Sequence, residues 1–334
     1  MDKKNQQPCC EKFKTMIGGQ ALIEGIMMRG PEKDAIVVRE KGELKVETMP
    51  RKIREKGSVT TWPLVRGCVN FFDSQVTGVK ALMRSADLSG DEEYAEEPSK
   101  LDLWLEKKLG NETFQKVVIG IAVFMGLGLS ILLFFLLPMI VSGFFDQWIP
   151  NTLVLNLIEG LIRIVVFMCY MLLVSRMKEM RRVFAYHGAE HKTIRCYEAG
   201  LELTVDNVRA QTRLHPRCGT SFLLVVMVIS ILVFSIASSG LLSLIPALEA
   251  MRGSFLYRLI MVAFKLLLLP LVVAITYEIN RWAGRHDNAF TRVLTAPGMW
   301  MQNFTTNEPD DSMIEVGIAA VQAVLPEEEG ADRW

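Results

Sequence analysis

Four long apolar stretches interrupt an otherwise mixed chain, and they predict its architecture. Two of them, 117–145 and 221–248, are uncharged and longer than the roughly 20 residues that a bilayer core requires. Two more, 153–174 and 255–277, have spanning length and carry a few charges. Buried helices of a soluble domain rarely contain uncharged runs of this length. The pattern therefore predicts a membrane α-helical protein with four transmembrane helices.

Basic residues predict how these helices are oriented. Nine lysines and arginines lie between the second and third apolar stretches, in the loop 176–220, whereas the two short linkers on the other side contain only Arg252. Positive charge is retained on the cytoplasmic side of bacterial membranes. We therefore expect the loop and both termini on the cytoplasmic side.

The rest of the chain shows shorter periodicities. Apolar and polar residues alternate over 21–51 and are broken by glycine and proline, which predicts a small unit of two or three β-strands. Residues 61–87 follow with helical spacing, so we expect an amphipathic helix that either lies in the membrane interface or packs on the β unit. A further short helix is expected over 311–326.

These patterns divide the chain into five segments. They are a flexible tail (1–16), a cytoplasmic β unit with its amphipathic helix (17–88), an acidic linker with a pre-span helix (89–116), a four-span membrane domain that contains the loop 176–220 (117–284), and a cytoplasmic C-terminal tail (285–334).

Charge and cysteine content exclude several classes of protein. The 37 basic and 37 acidic side chains cancel, and a nucleic-acid-binding protein normally carries a basic excess. Six scattered cysteines in 334 residues do not resemble a small secreted disulfide scaffold. The N-terminal segment lacks the apolar region of a signal peptide. We expect the lipid bilayer to be the partner of this protein and expect no binding to nucleic acid. A membrane-protein partner or a homodimer is left open.

The chain contains four histidines, and all of them fall near the predicted cytoplasmic ends of the spans. His187 and His191 are four residues apart, so on a helix they share a face with Glu190 beside them. His215 precedes the third span, with Cys218 at helical i, i+3 spacing. Imidazole and thiolate are ligands that zinc prefers. The convergence of these segments predicts a metal site, with zinc as the expected ion.

The ligand set decides what this site does. Three histidine nitrogens would leave a position open for water, with Glu190 as the general base. Cys218 as a fourth ligand would close the site and favour a structural role. We expect His286, Asp287 and Glu198 to orient the metal ligands or to act as additional ligands.

Charged residues within the predicted spans form a second group. Glu159 and Arg163 lie at i, i+4 spacing in the second span, and the fourth span contains Arg258 and Lys265. Ionisable groups in a membrane normally face the bundle interior and pair. We expect Glu159 to pair with Arg258 or Lys265, either beside a polar substrate path or as an ion pair that fixes helix register.

Four motifs together resemble one known family. They are "GGQALIEGIMMRGP" (Gly18–Pro31), "YHGAEHKTIRCYE" (Tyr186–Glu198), "HPRCGTSF" (His215–Phe222) and "TAPGMWMQNFTTNEP" (Thr295–Pro309). The chain resembles the YqhQ-like bacterial membrane proteins, domain-of-unknown-function family 1385, from Gly18 to the tail. The resemblance implies a multi-pass protein of the bacterial cytoplasmic membrane, and members carry the label of predicted metal-dependent enzyme. In the first of these motifs Glu24 has two candidate partners, the histidine cluster and Arg29, and we expect it to pair with Arg29.

The expected function is a zinc-dependent, hydrolase-like membrane enzyme that acts on a lipid or membrane peptide at the cytoplasmic interface. One alternative is a non-catalytic assembly, insertion or regulatory factor of the membrane, with a structural metal or none. A transporter is a second alternative, which the charged residues within the spans favour.

Overall fold

The computed structural model groups distant parts of the chain into two compact units. It describes residues 12–51, 57–89, 111–145, 148–149, 151–286, 288–328 and 330–333. The first unit comprises Met1–Gly90, Met171–Ile229 and Pro270–Trp334, and the second comprises Asp91–Tyr170 and Ser230–Leu269. The first unit thus combines the N-terminal segment, the loop between the second and third spans, and the C-terminal segment.

The predicted apolar stretches are long helices. Within the described residues, four helices are long and apolar enough to cross a membrane: Val117–Gly143, Thr152–Val174, Gly219–Leu244 and Phe255–Arg285. The first is built from α2 (Asn111–Ile131), a π-helical turn at Leu132–Leu136, and α3 (Leu137–Gly143). The others are α4 (Thr152–Val174), α7 (Gly219–Leu244) and α9 (Phe255–Arg285). The prediction of four helices of membrane-spanning length is confirmed.

The N-terminal segment forms one antiparallel sheet of four strands in sequential order. The strands are β1 (Gly18–Leu22), β2 (Gly25–Arg29), β3 (Lys33–Glu40) and β4 (Glu43–Pro50). The prediction of two or three strands was too low because the turn between β1 and β2 contains only Ile23 and Glu24. Glu24 takes a positive φ of 51° there, and no glycine, proline or asparagine occupies the two turn positions.

Helices cover both faces of this sheet in the first unit. On one face, Ile26 and Val37 share a core with helices α5 (Lys178–Glu198) and α11 (Asp311–Val324). On the other face, Met27 and Ile36 share a core with Ala81 of α1. Helix α1 spans Val65–Ser89, and α6 (Val205–Arg209), α8 (Pro246–Ala250) and α10 (Ala289–Thr305) complete the helices of five or more residues in the described chain. The amphipathic helices predicted at 61–87 and 311–326 are therefore present, and α1 packs on the sheet.

A buried ion-pair network lies within the second unit. Lys265 Nζ donates to both carboxylate oxygens of Glu159 at 2.6 Å, and Arg163 Nη2 donates to Glu159 Oε1 at 2.7 Å. Arg163 Nε also donates to the Phe134 carbonyl at 2.7 Å. Of the two predicted partners of Glu159, the structure pairs it with Lys265, while Arg258 lines an adjoining cavity of about 50 Å³.

Candidate metal centre

Helix α5 carries four of the candidate residues, His187, Glu190, His191 and Glu198, and its packing fixes their positions. It lies between the sheet and the segment that precedes α11, which crosses the helix at Gly188. A Cβ on Gly188 would lie 2.0 Å from the Asn307 carbonyl oxygen. The Asn307 amide donates to the Phe184 carbonyl at 2.8 Å. Only glycine permits so close an approach of two backbones, which explains this residue between His187 and Glu190.

Two histidines of α5 meet a cysteine that immediately precedes α7. The Nε2 atom of His187 lies 3.2 Å from Cys218 Sγ, and the rings of His187 and His191 are 4.3 Å apart between centroids. One ligand atom from each of these three residues lies within 4.8 Å of the other two. The described part of the chain thus brings together two imidazoles and a thiol that are separated by up to 31 residues in sequence.

Backbone carbonyls determine the tautomers of both imidazoles. His187 Nδ1 lies 2.8 Å from the Thr305 carbonyl oxygen, and His191 Nδ1 lies 2.6 Å from that of Arg213. A carbonyl can only accept, so in each neutral ring Nδ1 carries the hydrogen and Nε2 carries the lone pair. Metal-binding histidines are normally held in this way. The His191 Nε2 atom is buried and has no hydrogen-bond partner within the described chain, as expected for a ligand position.

His215 lies beside the cluster but its side chain has a different partner. Its ring centroid is 5.5 Å from that of His191, and its Nε2 lies 3.3 Å from Glu198 Oε2. Glu198 is fully buried and also binds Arg217 and accepts from the Thr15 amide. The geometry therefore differs from the three-histidine set: Cys218 supplies the third donor, and His215 is held by Glu198.

The backbone of His215 is anchored as firmly as its ring. The side-chain amide of Gln302 in α10 accepts from the His215 amide at 2.8 Å and donates to the His215 carbonyl at 2.7 Å. The same amide nitrogen donates to Ser221 Oγ at 2.9 Å. Gln302 thus fixes the segment around His215, which leads directly to Cys218. Sequence reasoning gave Gln302 no role, because nothing in its spacing links it to the histidines.

Glu190 is buried next to the cluster with one oxygen bonded. Its Oε1 accepts from the Gly19 amide of β1 at 2.9 Å, whereas Oε2 is buried and has no hydrogen-bond partner within the described residues. Burial raises the pKa of Glu190 to about 7, and the Cys218 thiolate adds to this, while His187 and the Gly19 amide oppose it. The carboxyl group is therefore suited to exchanging a proton at Oε2.

Burial also lowers the pKa values of two histidines near Glu190. It lowers the pKa of His191 to about 4, and it lowers the pKa of His215 well below the usual value, with Arg217 and Arg195 adding to the effect. Burial alone would raise the pKa of the Cys218 thiol, but contact with His191 and hydrogen bonds from Thr220 outweigh it and lower the value. The lowered pKa values of His191 and Cys218 favour a neutral imidazole and a thiolate, which are the forms that bind a metal.

The remaining candidates lie elsewhere. His286 is exposed, stacks on Trp282 and donates from Nδ1 to the Trp282 carbonyl at 2.8 Å. Asp287 lies outside the described residues. The predicted pairing of Glu24 with Arg29 was wrong: Glu24 pairs with Arg182 of α5, and Arg29 donates to Asp73 at 3.3 Å. The reason is that Glu24 sits on the turn that follows β1 rather than within a strand.

Comparisons with known proteins agree with the sequence motifs. The profile of the family described as "Protein of unknown function (DUF1385)" matches residues 62–327. The chain is similar to the "Uncharacterized protein YqhQ" of Bacillus subtilis (strain 168), with 30% identity over 321 residues, 94% of this chain and 93% of that protein. No solved structure matches the chain.

Proposed function

The chain belongs to the DUF1385 family of proteins of unknown function, and from that premise we propose that it is a metal-dependent membrane enzyme. Zinc bound by His187, His191 and Cys218 would serve the hydrolysis of a lipid or a membrane peptide at the cytoplasmic face of the bacterial membrane. One observation carries the proposal: a buried thiol and two imidazoles lie within 4.8 Å of one another, and both imidazoles are fixed by backbone carbonyls.

The donor set fits zinc. Imidazole nitrogen and thiolate sulfur are its usual ligands, and three protein ligands are typical of catalytic sites, which keep one position open. The orphaned Nε2 of His191 is a buried polar atom to which a metal would give the partner that it otherwise lacks. The engagement of His215 by Glu198 supports an open site rather than a closed structural one.

The residues around the cluster would have different roles in catalysis. A divalent cation at this position would supply Lewis-acid polarisation of a substrate oxygen and activation of water. Glu190 is the general base, because the Gly19 amide holds Oε1 and leaves Oε2 to accept a proton and return it to the leaving group. The carbonyls of Thr305 and Arg213 keep both imidazoles in the ligand tautomer.

The packing of the first unit supports the proposed orientation. Strands β2 and β3 share one hydrophobic core with α5 and α11, which supports the proposal that the N-terminal segment, the loop 176–220 and the C-terminal segment lie on one side of the membrane. The nine basic residues of the loop favour the cytoplasmic side. Substrates embedded in the inner leaflet would approach the cluster from the membrane.

A second candidate function uses the same atoms without a metal. The 3.2 Å separation of His187 Nε2 and Cys218 Sγ, with His187 oriented by the Thr305 carbonyl, is the geometry of a thiol nucleophile and its base. In this case the protein would catalyse acyl transfer through Cys218. The low exposure of Cys218, 9%, favours the metal ligand over the nucleophile.

Metal content tests the proposal. We would measure zinc by mass spectrometry on the full chain, purified in detergent without chelators, for wild type, His191→Ala, Cys218→Ser and His286→Ala. Wild type and the exposed control His286→Ala should each hold about one zinc per chain, because two imidazoles and a thiolate at one site give high affinity. His191→Ala and Cys218→Ser should lose it. A wild type that neither contains zinc nor takes it up on titration overturns the metal proposal.

Catalysis is tested with Glu190→Gln. This substitution should preserve zinc but reduce turnover by about 100-fold or more, since it removes the proton acceptor alone. Membranes from cells that express wild type or Glu190→Gln would be compared for released lipid headgroups, fatty acids and peptides. Identical products from the two strains overturn the hydrolase assignment. If zinc is also absent and alkylation of Cys218 abolishes a reaction, the thiol mechanism replaces it.

A further inference from the structure

A cavity separate from the metal centre lies on the opposite face of the sheet, beside α1. Its volume is about 1150 Å³, and six basic side chains line it: Arg29, Arg51, Arg66, Lys80, Arg84 and Arg281. Its acidic lining consists of Asp34, Glu47 and Asp73. We propose that this cavity binds the phosphate-bearing headgroup of an anionic phospholipid, a property that goes beyond the proposed enzymatic function.

The ion pairs of the cavity leave two cations available. Arg84 is paired with Glu47 at 2.9 Å, and Arg66 is paired with Glu278 at 2.7 Å. Arg29 is held by Asp73 and Asp34. Among the described residues, neither Lys80 nor Arg281 donates a hydrogen bond, and the charge of Arg281 interacts favourably with that of the nearby Glu278. Two cations with free donors at one cavity wall attract a phosphate, which accepts several charge-assisted hydrogen bonds.

Unsatisfied polar atoms in the wall point to a polar ligand. Arg29 Nε and Asp34 Oδ1 are buried, and neither forms a hydrogen bond within the described chain, although Nε lies 3.6 Å from the other carboxylate oxygen of Asp34. Buried polar groups in native proteins are nearly always paired. A phosphate oxygen accepts from Arg29 Nε, and a headgroup hydroxyl or ammonium donates to Asp34 Oδ1, so a phospholipid headgroup meets both demands.

Helix α1 presents this cavity with a regular polar face. Six polar residues of the helix line the cavity at intervals of three or four: Arg66, Asn70, Asp73, Thr77, Lys80 and Arg84. Exposed apolar residues repeat on a second face at similar spacing: Val65, Phe72, Val76, Val79 and Met83. At 3.6 residues per turn the two faces lie about 100° apart. Phe72 is 60% exposed, so the apolar face is not covered by the described part of the chain.

Helix α1 packs against α9 through Gly67 and Cys68. A Cβ on Gly67 would lie 2.9 Å from the Tyr277 Cβ and 3.1 Å from the Ala274 Cα. Cys68 Sγ donates to the Pro270 carbonyl at 3.1 Å, and Pro270 is the central residue of the 31-residue helix α9, a candidate membrane span. Helix α1 therefore lies beside a helix of membrane-spanning length, and its exposed apolar face is available to lipid. Acyl chains lie along it while their headgroup enters the cavity beside it.

Binding of short-chain lipids to the detergent-solubilised full chain tests this assignment by calorimetry. Dihexanoyl phosphatidylglycerol should bind about tenfold more tightly than dihexanoyl phosphatidylcholine, because the cavity favours net negative charge. Lys80→Gln combined with Arg281→Gln should weaken phosphatidylglycerol binding about tenfold, since two hydrogen bonds to a charged group are lost. Lys41→Gln, on the exposed turn between β3 and β4, is the matched control and should bind as wild type.

Two further variants make the result decisive. Phe72→Ser combined with Val76→Ser should weaken binding of phosphatidylglycerol and leave that of glycerol 3-phosphate unchanged, because only the lipid reaches the apolar face. Lys80→Arg combined with Arg281→Lys keeps both charges and should bind like wild type. Equal affinity for the two lipids, or an unaffected glutamine pair, overturns the proposal. Glycerol 3-phosphate binding as tightly as the lipid would identify a soluble phosphate ligand and overturn the membrane source.

Discussion

The amide of Gly19 donates to Oε1 of Glu190 at 2.9 Å and joins the edge strand β1 to α5, the helix that carries the candidate metal ligands His187 and His191. A Cβ at position 19 would lie 2.6 Å from the Met27 carbonyl oxygen and 3.1 Å from Glu190 Cδ. Gly18 and Gly19 differ in the space available for a side chain, because a Cβ on Gly18 would meet nothing within 4 Å. The hydrogen bond couples the N-terminal sheet to the candidate base.

Gly19→Ala should lower the free energy of unfolding by about 1–3 kcal/mol and displace Glu190. On the proposed function, it should also reduce turnover while zinc remains bound. Thermal melting in detergent, zinc content and product release would be measured together. Gly18→Ala is the control and should match wild type in all three. A Gly19→Ala protein that melts and turns over like Gly18→Ala would contradict the coupling.

Sequence periodicity was sufficient to predict the long helices, because the apolar pattern that identifies each one lies within that helix. Uncharged runs longer than a bilayer core specify α2–α3 and α7 without reference to the rest of the chain. The strand count failed at a single turn, where Glu24 adopts a positive φ without any of the usual turn residues. The boundaries of α11, Asp311–Val324, lie close to the predicted 311–326 because Asp310 caps the helix through the Met313 amide.

The candidate site was only partly accessible to sequence reasoning. The i, i+4 spacing of His187 and His191 requires only that α5 is a helix, and their shared face follows from that. The choice between His215 and Cys218 depends on where Glu198 lies in three dimensions. No spacing rule links Glu198 to His215, or Glu24 to Arg182. Contacts between distant segments decide such pairings.

Gly188→Ala should destabilise the protein severely. The new methyl group would overlap the Asn307 carbonyl, 2.0 Å from the Cβ position, and would displace the segment whose Thr305 carbonyl orients His187. We expect a loss of about 3 kcal/mol or more in the free energy of unfolding, together with loss of zinc. Gly120→Ala in α2, where a Cβ meets nothing within 4 Å, is the control. Normal melting and zinc content in Gly188→Ala would refute the close backbone contact.

Removal of metal should destabilise the wild-type protein. A ligand that binds only the folded state adds stability that grows with its affinity, so chelation should lower the melting temperature by at least about 5 °C. Added zinc should restore it. Cys218→Ser should already melt at the lower temperature and respond to neither treatment, whereas His286→Ala should behave like wild type. A wild-type melting curve that is unchanged by chelator and by zinc would argue against the site.

Glu159→Gln should destabilise the second unit by about 3–5 kcal/mol, because it leaves the buried Lys265 ammonium without a counter-charge. Lys265→Met in the same chain should recover most of this loss, since a buried ion pair can be replaced by apolar packing at little cost. Arg163 would keep two acceptors, the side-chain carbonyl of the introduced glutamine and the Phe134 carbonyl. Thermal scans in detergent would compare both variants with Glu249→Gln, an exposed control. If the double variant is no more stable than Glu159→Gln alone, then the Glu159–Lys265 pair does more than balance charge, and a polar path through the second unit becomes the better explanation.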